Sequence, residues 1–137
     1  MTPKEYLMQA YRLENEIKIE KEKLETMRSL LTSITSPGYE EHYNPNRGTD
    51  APYVQLLEKA FDIEEKIATK LTRLLELRTD IENAIDRNEN KDERLVLIYR
   101  YLNHMSWSEI ADEMYADKSS VRRWHDRALS RFLIPTA

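Results

Sequence analysis

The residue types that could do chemistry in this sequence are concentrated near its end, where arginine and lysine recur at helical spacing. After residue 117 there are five basic residues and one acidic residue, although the whole chain carries a net charge of −4. The basic residues are Lys118, Arg122, Arg123, Arg127 and Arg131. A short basic stretch on an acidic chain is typical of a local contact with a polyanion such as nucleic acid.

Other kinds of site lack the residues that they need. Cysteine is absent, which excludes disulfides, thiolate zinc sites and a cysteine nucleophile. Gly38 and Gly48 are the only glycines and both precede the basic segment, which excludes a glycine-rich phosphate loop there. His42, His104 and His125 do not have the spacing of metal ligands, and the carboxylates are scattered. We therefore expect no catalytic residue, no metal site and no cofactor, and hence no enzyme.

Three short helices are predicted around the basic segment. Asn90 and Ser106 are each followed three residues later by glutamate, the spacing of a capping box at the start of a helix. The first helix spans about 92–102 and the second begins after Ser106. A turn at 115–117 leads into a third helix over about 118–133. Two short helices joined by a tight turn, the second strongly basic, have the organisation of a helix-turn-helix.

The predicted third helix has an apolar face and a polar face. Its expected core positions are Val121, Trp124, Ala128 and Leu129. His125 is expected to be exposed or to lie beside a phosphate. The helical period turns four polar side chains outward where the helix would enter a DNA major groove: Lys118, Ser119, Arg122 and Arg123. Arginine suits guanine O6 and N7, while serine and lysine suit a base or a phosphate. Arg127 is a predicted phosphate contact.

Two long apolar stripes precede this segment, over about 4–34 and 53–87, with leucine and isoleucine mostly three or four residues apart. The loop at 35–52 between them contains both glycines and three of the five prolines. Two such stripes joined by a loop predict a long antiparallel, coiled-coil-like helical hairpin. The stripe residues are Leu13, Ile17, Leu24, Met27, Leu31 and Ile34, then Leu56, Ala60, Ile63, Ile67, Leu71, Leu74, Ile81 and Ile85.

The predicted fold is therefore all-α, with the hairpin at 1–88 and the helix-turn-helix DNA-binding domain at 89–137. The hairpin could support a homo-oligomer. Tyr39, Tyr43 and Arg47 in the loop are interpreted as turn residues, with a partner-binding lip as the alternative. The charged N-terminal segment does not resemble a signal peptide, and no apolar run has the length of a membrane span. We expect a cytoplasmic protein without membrane contact.

The sequence from Ile110 to Val121, IADEMYADKSSV, followed by RAL at 127–129, resembles region four of bacterial sigma factors. The stretches RYL at 100–102 and SWSEIA at 106–111 resemble more particularly small phage and prophage proteins of Gram-positive bacteria. Those proteins place a sigma-like helix-turn-helix after a helical N-terminal half, and several regulate late phage transcription. The resemblance covers about residues 92–133.

This resemblance implies a sequence-specific, DNA-binding transcriptional regulator encoded by a phage or prophage. It places the outward residues of the third helix at base edges, and Arg100 and Ser106 near phosphates of double-stranded DNA. RNA polymerase is a second implied partner. Three residues depart from the pattern. Tyr115 stands where the motif turn usually has glycine, and it requires a positive φ or a different turn. Ala116 replaces a larger apolar residue. Asp126 is acidic within the basic helix.

Two other functions remain open from the sequence. One is an adaptor that binds RNA polymerase or another protein without reading DNA, since region-four folds also contact the polymerase. The other is a DNA-packaging recognition subunit, which likewise joins a helix-turn-helix to an oligomerising helical part. Direct binding to duplex DNA distinguishes a regulator from the adaptor. Co-purification with RNA polymerase or with a packaging motor distinguishes a regulator from a packaging subunit.

Overall fold

The structure, a computed structural model, describes residues 1–35 and 50–136. Every regular element within these residues is a helix, which confirms the all-α prediction for the part of the chain described. None of these helices combines the length and the apolar character needed to cross a membrane. The interpretations of Tyr39, Tyr43 and Arg47 concern residues outside the described ranges and stay predictions.

Six α-helices follow one another along the chain, and the fourth continues into a five-residue π-helix. They are α1 (Pro3–Leu7), α2 (Gln9–Thr35), α3 (Asp50–Asp86), α4 (Lys91–Leu97) with the π-helix (Ile98–Leu102), α5 (Trp107–Glu113) and α6 (Lys118–Arg131). The N-terminal stripe was expected to be one helix, but a break at Met8 separates α1 from α2. In the π-helix the amide of Asn103 donates to the carbonyl of Ile98, five residues earlier.

The residues group into two compact units. The first consists of Met1–Glu14 and Arg73–Ala137, and the second of Asn15–Thr72. The first unit therefore contains α1, α4, the π-helix, α5 and α6, together with one end each of α2 and α3. The boundary predicted at residue 88 lies inside this first unit, and as a division into folding domains it stays a prediction.

The first unit has two apolar clusters. The larger one brings α1 and the end of α3 against α4, the π-helix and α6, and its fully buried side chains include Leu7, Ile81, Ile85 and Leu97. The smaller one joins α4, α5 and α6 through Val96, Ile110, Ala111 and Val121. Each large buried side chain contributes about 1.5–3 kcal/mol of transfer free energy. These two clusters hold α6 against the helices that precede it.

The stripe on α3 is assigned correctly except around one turn. Ile67, Ile81 and Ile85 are buried as predicted, but Leu71 is exposed and Leu77, which the stripe omitted, is buried. Between Ile67 and Ile81 the buried position is thus Leu77, and Leu71 faces solvent. Several leucines follow one another closely in this part of α3, and the periodic pattern alone does not show which of them faces inward.

A cluster of polar side chains fixes the chain just before α5. Arg78 of α3 donates to the Glu14 carboxylate at 3.1 Å and to the carbonyl of Leu102, at the end of the π-helix, at 2.9 Å. The other carboxylate oxygen of Glu14 bonds the ring of His104. His104 has a φ of 55°, an unusual value for a residue other than glycine. These bonds hold the turn at 103–105 in place.

The second unit contains one apolar cluster between α2 and α3, formed by Leu24, Ala60, Ile63 and Ile67. Three ion pairs lie beside it: Arg28–Glu64 at 3.3 Å, and Lys70 with Glu16 and Glu20, both at 3.9 Å. Later residues of α2 are thus paired with earlier residues of α3. The exposed Arg28–Glu64 pair contributes little to stability, whereas the Glu20 side chain is only 10% exposed and pairs with Lys70 beside the apolar cluster.

We expect Ile67→Asp to destabilise the protein by more than about 3 kcal/mol, because it places an unpaired carboxylate in the apolar cluster. Ala68→Asp is a matched control on the same helix, since Ala68 is exposed and Ile67 is only 9% exposed. Urea unfolding followed by circular dichroism measures both. Equal midpoints for the two variants would contradict the burial of Ile67.

The turn between α5 and α6 contains a strained tyrosine. Tyr115 has a φ of 52°, so the structure shows the first of the two alternatives left open by the sequence, a positive φ or a different turn. Its side chain is 97% exposed, so no packing offsets the cost of this conformation, about 1–2 kcal/mol for a residue with a Cβ.

Tyr115→Gly should therefore be more stable than Tyr115→Ala by about 1 kcal/mol. Both substitutions remove the exposed ring, but only glycine adopts the positive φ without steric cost. Thermal unfolding of the two variants measures the difference. A higher melting temperature for the alanine variant would show that the left-handed conformation is absent in solution.

Candidate nucleic-acid interface

Helix α6 begins with a well-formed N-terminal cap. The Asp117 carboxylate accepts a hydrogen bond from the amide of Ser120 at 3.1 Å, and the Ser119 hydroxyl donates to it at 3.3 Å. Hydrogen bonds from Ser120, and to a lesser extent from Ser119, lower the pKa of Asp117 below its usual value. The cap fixes the first turn of α6, which carries Lys118.

The side chains of α6 divide into a buried stripe and an exposed face. The buried residues are Val121, His125 and Ala128. Trp124 and Leu129, predicted as core, are half-buried. All four residues predicted to face bases are exposed: Lys118, Ser119, Arg122 and Arg123. Arg127, the predicted phosphate contact on the same helix, is also exposed. The structure therefore presents five of the predicted site residues on the solvent side of α6.

The two central arginines of this face have different neighbours. Arg123 donates to the hydroxyl of Ser120 at 3.0 Å, within the first turns of α6. The guanidinium of Arg122 lies over the ring of Trp107, 5.7 Å from its centroid. Within residues 1–35 and 50–136, neither arginine forms an ion pair with a carboxylate. Both positive charges are thus available to an external anion.

Arg100 lies apart from α6 and has a structural contact of its own. It is half-buried on the π-helix, donates to the carbonyl of Met105 at 3.0 Å, and lies over the Trp107 ring at 4.4 Å. The contact with Met105 closes the turn that precedes α5. A guanidinium has five N–H donors, so donors remain for a phosphate.

Ser106 caps α5 as predicted. Its hydroxyl accepts from the amide of Glu109 at 3.2 Å, and the Glu109 carboxylate accepts from the amide of Ser106 at 3.2 Å, which completes the capping box. Ser106 is exposed, next to the Trp107 ring in sequence. The two predicted phosphate contacts Arg100 and Ser106 therefore both lie next to the start of α5.

The capping box predicted at Asn90 is only half formed. Asn90 accepts from the amide of Glu93 at 3.0 Å, as expected. The Glu93 carboxylate, however, is 1% exposed and accepts from Arg131 of α6 at 3.2 Å, instead of returning to the amide of Asn90. Burying a carboxylate is unfavourable without a partner, and the cation at the end of α6 supplies one. Arg131 is therefore bound to α4 within the fold.

His125 is buried, so the prediction that it is exposed or lies beside a phosphate is wrong. It is 7% exposed, bonds the Tyr101 hydroxyl through Nε2 at 2.6 Å, and meets the Trp107 ring edge-on at 4.8 Å. Its position four residues after Val121 and three before Ala128 places it on the buried stripe. This spacing was the sequence signal that could have identified it.

Burial shifts both members of this pair toward their neutral forms. Desolvation lowers the pKa of His125 below its usual value, and a hydrogen bond that its ring donates to the neighbouring Asp126 carboxylate opposes that shift without cancelling it. Desolvation raises the pKa of Tyr101 to about 12.

Within the described part of the chain, no group of three or more histidine, aspartate or glutamate residues could hold a metal ion.

Stability should therefore decrease as the pH falls below about 6.5. There the unfolded chain protonates His125 while the folded chain resists it, at a cost of at most about 1.4 kcal/mol per pH unit. Urea unfolding between pH 5 and 7.5 measures the slope. His125→Gln keeps an amide that can bond Tyr101 but does not titrate, so its slope should be smaller than that of the wild type. Identical slopes would show that His125 titrates normally.

A family model matches residues 33–132, which include the whole of α3 to α6 and every predicted site residue. The family is described as "Protein of unknown function (DUF1492)". No curated protein and no solved structure matches the chain significantly. Because the match covers well over half of the sequence, the chain belongs to the DUF1492 family.

Proposed function

We propose that this protein is a sequence-specific DNA-binding transcriptional regulator, encoded by a phage or prophage, that reads double-stranded DNA with α6. The observation that carries the proposal is the exposed face of α6, where Arg122 and Arg123 have no acidic partner among the described residues. Unneutralised cations on a regular helix suit a polyanion, and the width of a major groove admits one helix.

We infer that α5, the turn at 114–117 and α6 form a helix-turn-helix of the sigma region-four type. The apolar cluster of Val96, Ile110, Ala111 and Val121 holds α4, α5 and α6 together, so the exposed face belongs to a rigid helix. A rigid presentation lowers the conformational entropy lost on binding.

In this proposal the contacts divide between reading and positioning. Lys118, Ser119, Arg122 and Arg123 face base edges, since they lie in the N-terminal half of α6. Arg100, Ser106 and Arg127 contact phosphates, which orient the protein without selecting a sequence.

We also propose that α2 and α3 form an antiparallel hairpin through which two copies associate. The order of the ion pairs between α2 and α3 supports the antiparallel arrangement. The exposed apolar side chains Val54, Phe61 and Leu71 on α3 support self-association. Light scattering of the purified protein at several concentrations determines its mass in solution, and a monomer throughout would exclude this part of the proposal.

Binding should be strongly salt-dependent. Selection from a random duplex library supplies a preferred site, and a scrambled version of that site is the comparison. With about four to six phosphate contacts, log K against log salt should have a slope of roughly −4 to −5.

Arg122→Ala or Arg123→Ala should reduce the preference for the selected site, because each bidentate base contact provides about 1–3 kcal/mol of discrimination.

Arg100→Ala should instead weaken binding to both sites by a similar factor and reduce the salt slope by about one. Arg12→Ala is the matched control, since Arg12 is an exposed arginine on α2 outside the proposed interface. Thermal unfolding of each variant checks that the fold is retained. Loss of discrimination in Arg100→Ala, with both α6 variants unaffected, would show that α6 is not the reading helix. Failure of the wild type to bind any duplex at low salt, or co-purification with RNA polymerase alone, would favour the adaptor.

A further inference from the structure

Trp107, the first residue of α5, contacts side chains from two other elements. The guanidinium of Arg100, from the π-helix, lies 4.4 Å from its ring centroid, and that of Arg122, from α6, lies 5.7 Å from it. The buried ring of His125 meets the indole edge-on at 4.8 Å. Trp107 is half-buried, so one part of the ring packs inward while the rest supports two cations.

This arrangement opposes the repulsion between two guanidinium groups. Among the described residues, neither Arg100 nor Arg122 forms an ion pair with a carboxylate. Cation–π attraction to an indole, the strongest of the aromatic side chains in this respect, therefore replaces a counter-ion. Arg100 is also held by the carbonyl of Met105, but the indole is the contact that the structure gives to the guanidinium of Arg122.

We propose that Trp107 is a positioning residue that holds Arg122 in the conformation in which it reads a base, and so determines sequence specificity without touching DNA bases itself. The inference rests on the proposed function of α6. A free arginine loses several rotatable bonds when it forms a bidentate contact, and an arginine already held against a ring loses less. Arg123 has a different restraint, its bond to Ser120, and does not depend on Trp107.

Three variants test the proposal. Trp107→Leu keeps apolar bulk in the cluster but removes the π-system, and Trp107→Phe keeps a weaker one. Trp124→Leu is the matched control, because Trp124 is a half-buried tryptophan that packs against the same apolar cluster as Trp107. Circular dichroism and thermal unfolding establish that each variant is folded under the conditions of the binding assay.

Two readouts are measured. The first is the ratio of affinities for the selected and the scrambled duplex. It should fall about three- to tenfold in Trp107→Leu, less in Trp107→Phe, and remain unchanged in Trp124→Leu. The salt slope should stay the same, because no phosphate contact is removed. The second readout is the NMR shift of the Arg122 δ-protons in the free protein, which the indole ring current should move upfield in the wild type and in Trp124→Leu but not in Trp107→Leu.

The outcomes separate this inference from the proposed function. If Trp107→Leu weakens both duplexes equally, or if its Arg122 δ-proton shift equals that of the wild type, Trp107 does not position Arg122 and the inference is overturned. If the wild type binds no duplex, the proposed DNA-binding function fails, and the δ-proton shift still decides on its own whether Trp107 holds Arg122. A loss of discrimination in Trp124→Leu equal to that in Trp107→Leu would assign the effect to general packing, which also overturns the inference.

Discussion

The buried contact between Tyr101 of the π-helix and His125 of α6 is the interaction on which the arrangement of the candidate interface depends. The Tyr101 hydroxyl oxygen and Nε2 of His125 are 2.6 Å apart, and both side chains are nearly inaccessible to solvent. A buried polar group is tolerated only when it is hydrogen-bonded, so α6 must turn His125 toward the π-helix. Because the helical period is fixed, this requirement leaves Arg122 and Arg123 on the solvent side.

Polar contacts hold α6 at both ends, a carboxylate at its start and an arginine near its end. At its start the Asp117 carboxylate caps α6, and near its end Arg131 binds the buried carboxylate of Glu93 on α4. Removing Arg131 would leave the buried Glu93 carboxylate without its cation, so this contact favours one position of α6 against α4. Arg131 is basic like Arg122, but this bond gives it a role inside the fold.

Part of the site region was predictable from local patterns. The capping box at Ser106 and the N-cap at Asn90 depend on residues close in sequence, and the structure contains both. The outward side chains near the start of α6 followed from helical periodicity. What sequence patterns did not supply are the partners of Glu93 and His125, because those partners lie on elements far away along the chain.

The sequence by itself determined the helical composition of the described residues, the start of α5 and of α6, and the concentration of basic residues on α6, because propensity, capping and periodicity are local properties. Only the tertiary structure decided which polar residues are internal. His125 and Glu93 are polar residues, yet each is buried against a side chain far away in sequence: His125 bonds Tyr101, and one oxygen of the Glu93 carboxylate accepts from Arg131. The contact of Trp107 with Arg122 is of the same kind, since it exists only once α6 packs against α5.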